Sequence, residues 1–202
     1  MDLSRGYGWS RSEPRAVPKF VPLTRLRRLR GSEQVAAICY RLRNRTIEFL
    51  LVKTRGGRWI FPKGSAEAGL THAQAAALEA FEEAGVHGRM EVAPFARYVR
   101  RGSGADAPRV VVHAHLCEVL WLDTPPELDR DPAWFPLNKA KRRLREKRAR
   151  DYGNDLTRVL DCALARIQRG HRRPTIIDSQ HNLFFIDHAR NTSAVSQKKR
   201  LR

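Results

Sequence analysis

No apolar run in this 202-residue chain approaches the roughly 20 residues that a membrane-spanning helix needs. The opening stretch MDLSRGYGWSRSEPR also lacks the uninterrupted apolar core of a secretory signal. Prolines at 14, 18 and 22 interrupt any amphipathic transit helix there, so a soluble, cytoplasmic protein is expected. Cysteine is scarce as well. Cys39, Cys117 and Cys162 are odd in number, widely spaced and set in apolar sequence, which excludes a disulfide framework or a cysteine zinc site. Buried free thiols in a reducing compartment are expected instead. Acidic residues are few, with 21 Asp and Glu against 39 Lys and Arg, a net charge of +18.

That charge is unevenly placed. Residues 1–34 carry eight Arg/Lys against three acids and residues 171–202 carry seven against two, so each end contributes +5. Most of the remaining +8 comes from KAKRRLREKRAR at 139–150, where eight basic groups face only Glu146. Concentrated basic patches raise the local concentration of polyanions, whether nucleotides, inositol phosphates or nucleic acid, although each also reads as a solvated helix face. The expected organisation is a basic, mobile arm over 1–34, one folded domain over 35–170 and a basic tail over 171–202, with LFFI at 183–186 as an anchoring strand.

Within the domain, VAAICYRL and IEFLLVKT are short runs of β-formers separated by RNRT, which suits a hairpin. RWIF at 58–61 is a further short strand stopped by Pro62 and Gly64. Thr71 to Ala84 has the clearest helix signature: Thr71 with Gln74 makes a capping box, alanines fill the interior and Gly85 ends it. EVAPFARYV and RVVVHAHLCEVLWL read as two more strands. A Pro-rich stretch, a basic helical segment and an amphipathic helix over Tyr152–Gln168 follow. This order predicts an α/β (α+β) sandwich, a mixed sheet covered by helices.

The chemistry concentrates in FPKGSAEAGLTHAQAAALEAFEEAGV, residues 61–86. At about 100° per residue, Glu83 falls almost above Glu79 and Glu82 lies on the adjoining stripe. Three carboxylates sharing one region repel one another and sit near the negative end of the helix dipole. A divalent cation such as Mg²⁺ or Mn²⁺ removes that conflict, because carboxylate oxygens are its preferred donors. Upstream, a Pro-Lys-Gly loop leaving a strand is suited to aim backbone N–H groups and the Lys63 ammonium at phosphate oxygens. Together these parts suit hydrolysis of a phosphoanhydride: cations stabilise charge on the attacked and leaving oxygens, and a cation makes water a usable nucleophile.

The same stretch resembles the box of the Nudix hydrolase superfamily, a glycine, five residues, a glutamate, seven residues, then R-E-U-x-E-E-x-G-U with U aliphatic. Gly64, Glu79, Ala80, Glu82, Glu83, Gly85 and Val86 fall in its register, while Leu70 and Leu78 stand where the family has a glutamate and an arginine. With LLVKTRGGRWIFPKG before it and AWFPL after it, the resemblance covers about residues 35–168. It is most similar to the diphosphoinositol polyphosphate phosphohydrolase branch and its bacterial relatives. Ser32, Glu33 and Gln34 depart from that branch's basic lead-in, with Arg27, Arg28 and Arg30 placed earlier.

The resemblance implies an α/β/α sandwich and a Mg²⁺-dependent (or Mn²⁺-dependent) pyrophosphohydrolase. Its substrate would be a polyanionic small molecule: a nucleoside diphosphate derivative, a dinucleoside polyphosphate or an inositol pyrophosphate. Glu79 and Glu83 would be metal ligands, Glu82 a further ligand or the proton acceptor for the attacking water, and Lys63 with Gly64 would line the phosphate side. Arg55, Arg58, Arg97 and Arg100 are candidates for further phosphate contacts, and Glu118, Asp123 and Glu127 for one more carboxylate from outside the box. In the family the arginine replaced by Leu78 braces a metal-binding glutamate, and loss of such support costs about 10- to 100-fold in affinity or activity. The alternative is a weakly active or silent Nudix module that holds nucleotide or nucleic acid, RNA included, through its basic segments. His113 and His115 share one face of their strand, which either aims both at the substrate or puts both on a solvated face, the second being favoured, and Trp59, Trp121 and Trp134 are expected in the core.

Overall fold

A computed structural model describes residues 33–101, 109–172 and 183–186. The expectations for the arm up to residue 32, for the glycine-rich loop at 102–108 and for the rest of the tail lie outside the described residues. Strand β1 (Glu33–Arg43) turns at Asn44 and Arg45, both with positive φ, into the antiparallel β2 (Thr46–Lys53), which makes RNRT the expected hairpin. β3 is only Trp59–Ile60 and pairs with β2.

β4 (Lys63–Ser65) departs from the expected loop. Its backbone pairs with the start of β1, Val35 opposite Gly64, so this segment is held as sheet. Helix α1 (His72–Ala84) follows, with both arms of the capping box formed: Thr71 Oγ1 accepts from the Gln74 N–H at 3.2 Å, and Gln74 Oε1 accepts from the Thr71 N–H at 2.9 Å. Six alanines and Glu83 make up its buried side chains, and their small size lets the helix lie close on the sheet. Gly85 ends the helix at φ 63°, and a Cβ there would meet the Asp123 carbonyl oxygen at 2.0 Å, so no other residue fits without movement.

EVAPFARYV is two strands, not one: β5 (Val86–Glu91) and β6 (Ala96–Arg101), broken around Pro94. Both pair with β7 (Arg109–Leu122), β6 along its first half and β5 along its second, while β1 runs parallel to β7 on its other edge. A 3-10 turn at Leu128–Arg130 leads to β8 (Ala133–Pro136), which pairs with β2. Helices α2 (Leu137–Arg145) and α3 (Arg150–Arg172) then pack together. β9 (Leu183–Ile186) adds antiparallel to β5. The main strand order is β3-β2-β1-β7-β5-β9. Helix α1 packs on β1, β4, β5 and β7, whereas α2 packs on β2 and β8 and α3 on β6, giving a Nudix-type α/β/α sandwich around a mixed sheet.

Several local expectations are corrected by this packing. Cys39 and Cys117 are buried side by side in register, but Cys162 is exposed, because the buried face of α3 runs through Leu156, Val159, Leu160, Ala163 and Ile167. Trp121, near the end of β7, is exposed and stacks on His87 at 4.9 Å. Trp59 and Trp134 are half-buried against the core, Trp59 edge-on to Phe135 and Trp134 beneath the Arg41 guanidinium. His113 and His115 are buried rather than solvated, since the strand that carries them is flanked on both edges and their face lies under α1.

Candidate active site

The C-terminal half of α1 brings its glutamates against β4. Glu83 is fully buried, and each of its oxygens is engaged: Oε1 lies 2.9 Å from Arg130 Nη2, and Oε2 accepts the Lys63 backbone N–H at 3.1 Å. The Lys63 N–H therefore points into the protein, not toward a ligand as the loop reading had it. Glu79 reaches the same strand from one turn earlier. A Cβ on Gly64 would stand 1.7 Å from Glu79 Oε1, so the missing side chain of that glycine is the space the carboxylate occupies. Glu82 is half-buried, and its carbonyl accepts the Glu127 N–H at 2.9 Å, tying the segment before the 3-10 turn to α1.

The charges act on one another. Burial, then Glu83 and Glu82, push the Glu79 carboxyl up to about 7, against the pull of Lys63. Burial also raises Glu83, with Lys63 and Arg130 opposing it. Burial lowers Lys63, helped by Arg100 and Arg130 and resisted by Glu83 and Glu79. Glu127 adds negative potential at both Glu79 and Glu83, and its Oε2 lies 2.5 Å from Arg130 Nε. Of the three outlying carboxylate candidates, Glu127 alone acts on this cluster. Glu118 pairs with Arg89 at 3.3 Å, and Asp123 pairs with His87 at 2.7 Å.

Arg100, on β6, is close enough to lower Lys63, whereas Arg97 is exposed and acts on His113. Arg55 and Arg58 are exposed on the turn between β2 and β3, and Arg58 acts on Arg148 and Tyr152 rather than on the glutamates. Arg130 was not anticipated. Its position between an aspartate and the turn to β8 carries no motif, and only the folded chain puts it beside Glu83. The exposed turn at Leu70 takes no part in the cluster, and Leu78 is half-buried on α1.

The basic run at 139–150 is partly spent on the fold. Lys141 pairs with Asp161, Arg143 with Glu146 at 3.1 Å, Arg145 donates to Thr157 at 3.2 Å, and Arg148 donates to the carbonyls of Leu144 and Trp59. Lys139, Arg142, Lys147 and Arg150 are exposed.

The sandwich and the carboxylate helix define a Nudix-fold protein. Residues 32–156 match the NUDIX domain family, and the chain belongs to that family. No curated protein matches it. Among solved structures it is similar to a C. elegans Ap4A hydrolase (21% identity, 67% of this chain and 98% of that one, TM-score 0.51). It is also similar to the NUDIX domain of Shewanella oneidensis NrtR complexed with ADP ribose (16% identity, 76% and 94%, TM-score 0.50). A third is RenU, a Nudix hydrolase from M. smegmatis (14% identity, 67% and 88%, TM-score 0.50). At these identities the likeness is one of fold. No helix of the described residues is long and apolar enough to cross a membrane.

Proposed function

We propose that the chain is a Mg²⁺-dependent pyrophosphohydrolase that cleaves a phosphoanhydride in a nucleoside diphosphate derivative, a dinucleoside polyphosphate or an inositol pyrophosphate. The observation that carries this reading is the meeting of Glu79, Glu83 and Glu127 with Lys63, Arg100 and Arg130 around β4 and α1. The carboxylates are all-oxygen donors, and Glu79, raised to about 7 by burial and its acidic neighbours, carries a charge conflict that Mg²⁺ or Mn²⁺ would relieve. Each Glu83 oxygen keeps a lone pair beyond the bond it already accepts, so its engagement with Arg130 and Lys63 is compatible with ligation. Glu79, Glu83 and Glu127 would hold the ion, which when bound supplies charge neutralisation at the phosphate oxygens.

The chain's own residues supply the rest. The ammonium of Lys63 and the guanidinium of Arg100, close enough to act on each other, would draw the anion in and offset charge that grows on the leaving oxygen. Glu82, half-buried on the stripe next to Glu79 and Glu83, accepts the proton of the attacking water. Arg55 and Arg58, on the exposed turn, contact the distal part of a long polyphosphate. Ap4A, the substrate named for the C. elegans protein of similar fold, is a first dinucleoside polyphosphate to assay; inositol pyrophosphates follow from the RWIFPKG resemblance. Turnover of such a panel with Mg²⁺ and Mn²⁺ tests the proposal. Metal-dependent turnover that survives both Glu82→Gln and Glu83→Gln would overturn the assigned roles.

The second reading, a module that holds nucleotide or RNA with little turnover, draws on Leu78 in place of the box arginine. It predicts polyanion binding that weakens steeply with salt and is indifferent to the glutamates.

A further inference from the structure

A second cluster lies at the other end of α1. Glu33 is the first residue of β1, His72 the first of α1, and His113 lies in the middle of β7. His72 Nε2 is 3.3 Å from Glu33 Oε2, His113 Nε2 is 3.6 Å from Glu33 Oε1, and the two imidazole rings are 4.5 Å apart. One ligand atom from each of the three lies within 4.8 Å of the others. We propose that Glu33, His72 and His113 form a transition-metal site of the zinc type, separate from the carboxylates of the Nudix box.

Three features carry this. The two distances from the imidazoles to Glu33, 3.3 and 3.6 Å, lie nearer to ligand spacing than to hydrogen-bond length. A charge-assisted His–carboxylate bond closes to about 2.7–2.9 Å, whereas two donors about 2.0–2.1 Å from a tetrahedral zinc stand about 3.3–3.5 Å apart. The His113 side chain is only 8% exposed, and neither of its ring nitrogens makes a hydrogen bond, although Nε2 is aimed at the cluster. A buried ring whose nitrogens make no hydrogen bond is costly, and a metal on Nε2 removes that cost. Finally, the donor set is two imidazoles and one carboxylate, which suits zinc and its neighbours and leaves a coordination position open, while Mg²⁺ prefers oxygen alone.

The site is distinct from the box by position as well as chemistry. His72 precedes Glu79 by two helical turns, about 10 Å along the axis. Its ligands come from three elements, so a bound ion would clip the start of β1 and the first turn of α1 to the central strand. The positive end of the helix dipole works against a cation at His72, and the Glu33 carboxylate offsets it.

The test is zinc binding by the full-length, untagged protein stripped with chelator, measured by competition with a chromophoric chelator, with Co²⁺ as a spectroscopic probe of tetrahedral geometry. Wild type should take up one tight equivalent that is lost in His113→Ala and His72→Ala. Affinity should fall by about 100-fold or more, since even residues that merely orient a ligand cost roughly 10- to 100-fold. Glu33→Gln, at a half-exposed position that tolerates change, should weaken the same equivalent and serves if His113→Ala fails to fold. Glu79→Gln should leave it intact, whether or not the protein hydrolyses anything. Uptake unchanged by the histidine and Glu33 substitutions, or uptake lost with Glu79→Gln, would overturn the proposal, as would a Co²⁺ spectrum of purely octahedral type.

Discussion

Arg130 Nη2 lies 2.9 Å from Glu83 Oε1, so a guanidinium from the turn before β8 braces a box glutamate from outside the box. Leu78 removes an arginine from the helix, and Arg130 supplies a cation to the same group of carboxylates from another element. The pair is well shielded, with side-chain exposures of 18% and 2%. Breaking a buried ion pair from one side typically costs about 3–5 kcal/mol, and the partial exposure of Arg130 puts Arg130→Ala near the lower end. Urea unfolding should register that loss, and turnover should fall about 10- to 100-fold. Arg130→Lys keeps the charge without the planar fork and should fall between. Leu78→Arg should change little in wild type and restore rate in the Arg130→Ala background. A large gain from Leu78→Arg alone would mean that Arg130 does not brace Glu83.

Gly64→Ala should separate the site from the fold. Its Cβ would land on Glu79 Oε1, the far end of a flexible side chain, so the carboxylate swings away while the backbone pairing of β4 with β1 survives. Thermal stability near wild type together with at least a ~10-fold drop in metal-dependent turnover is expected, in line with the sensitivity of metal sites to ligand orientation. Gly85→Ala is the contrasting case. Its obstacle is the backbone carbonyl of Asp123, and φ is 63°, so the melting temperature should fall by several degrees through strain on the order of 1–3 kcal/mol.

What could be read in advance was local. Thr71 and Gln74 mark the start of α1 and Gly85 its end, each by local chemistry, and the register of Glu79, Glu82 and Glu83 needs only helical geometry. What escaped depends on which surfaces meet. Lys63 and Gly64 form a strand because β1 offers an edge there, and His113 is buried because α1 lies over it. Arg130 joins the site through a turn whose sequence, PPELDRDP, has no periodicity to read, and only the fold singles out Glu127 from the three outlying carboxylate candidates. Charge alone misled at 139–150, where Lys141, Arg143, Arg145 and Arg148 serve the packing of α2 and α3.

That partition of the basic run makes a prediction about polyanions. Charge reversal at the exposed Lys139, Arg142, Lys147 and Arg150 should reduce the slope of log affinity for single-stranded RNA against log salt, each lost phosphate contact being worth about 0.7 in slope. Changing Lys141 or Arg148 instead should lower stability. An RNA slope unaffected by the four exposed changes would place any RNA contact elsewhere.

Glu79 makes stability depend on pH in a way that a bound cation removes. Its carboxyl lies at about 7 in the fold, against about 4.5 when unfolded, because burial and the neighbouring glutamates disfavour its charge. Between these values the folded state holds a proton that the unfolded state has released, so its contribution is fully present below about 4.5 and is lost as pH rises through about 7. Glu83 is raised too and acts in the same direction, while buried His113 and His115, both lowered, act in the opposite one. The difference between wild type and Glu79→Gln isolates the first effect. In metal-free buffer, the melting temperature of wild type should fall relative to the variant from pH 5 to pH 8. Saturating Mg²⁺ should abolish that fall, since the ion takes the proton's place and its binding tightens with pH over the same window. A wild-type-minus-variant difference that is flat with pH, or indifferent to Mg²⁺, would show that Glu79 does not face the cation.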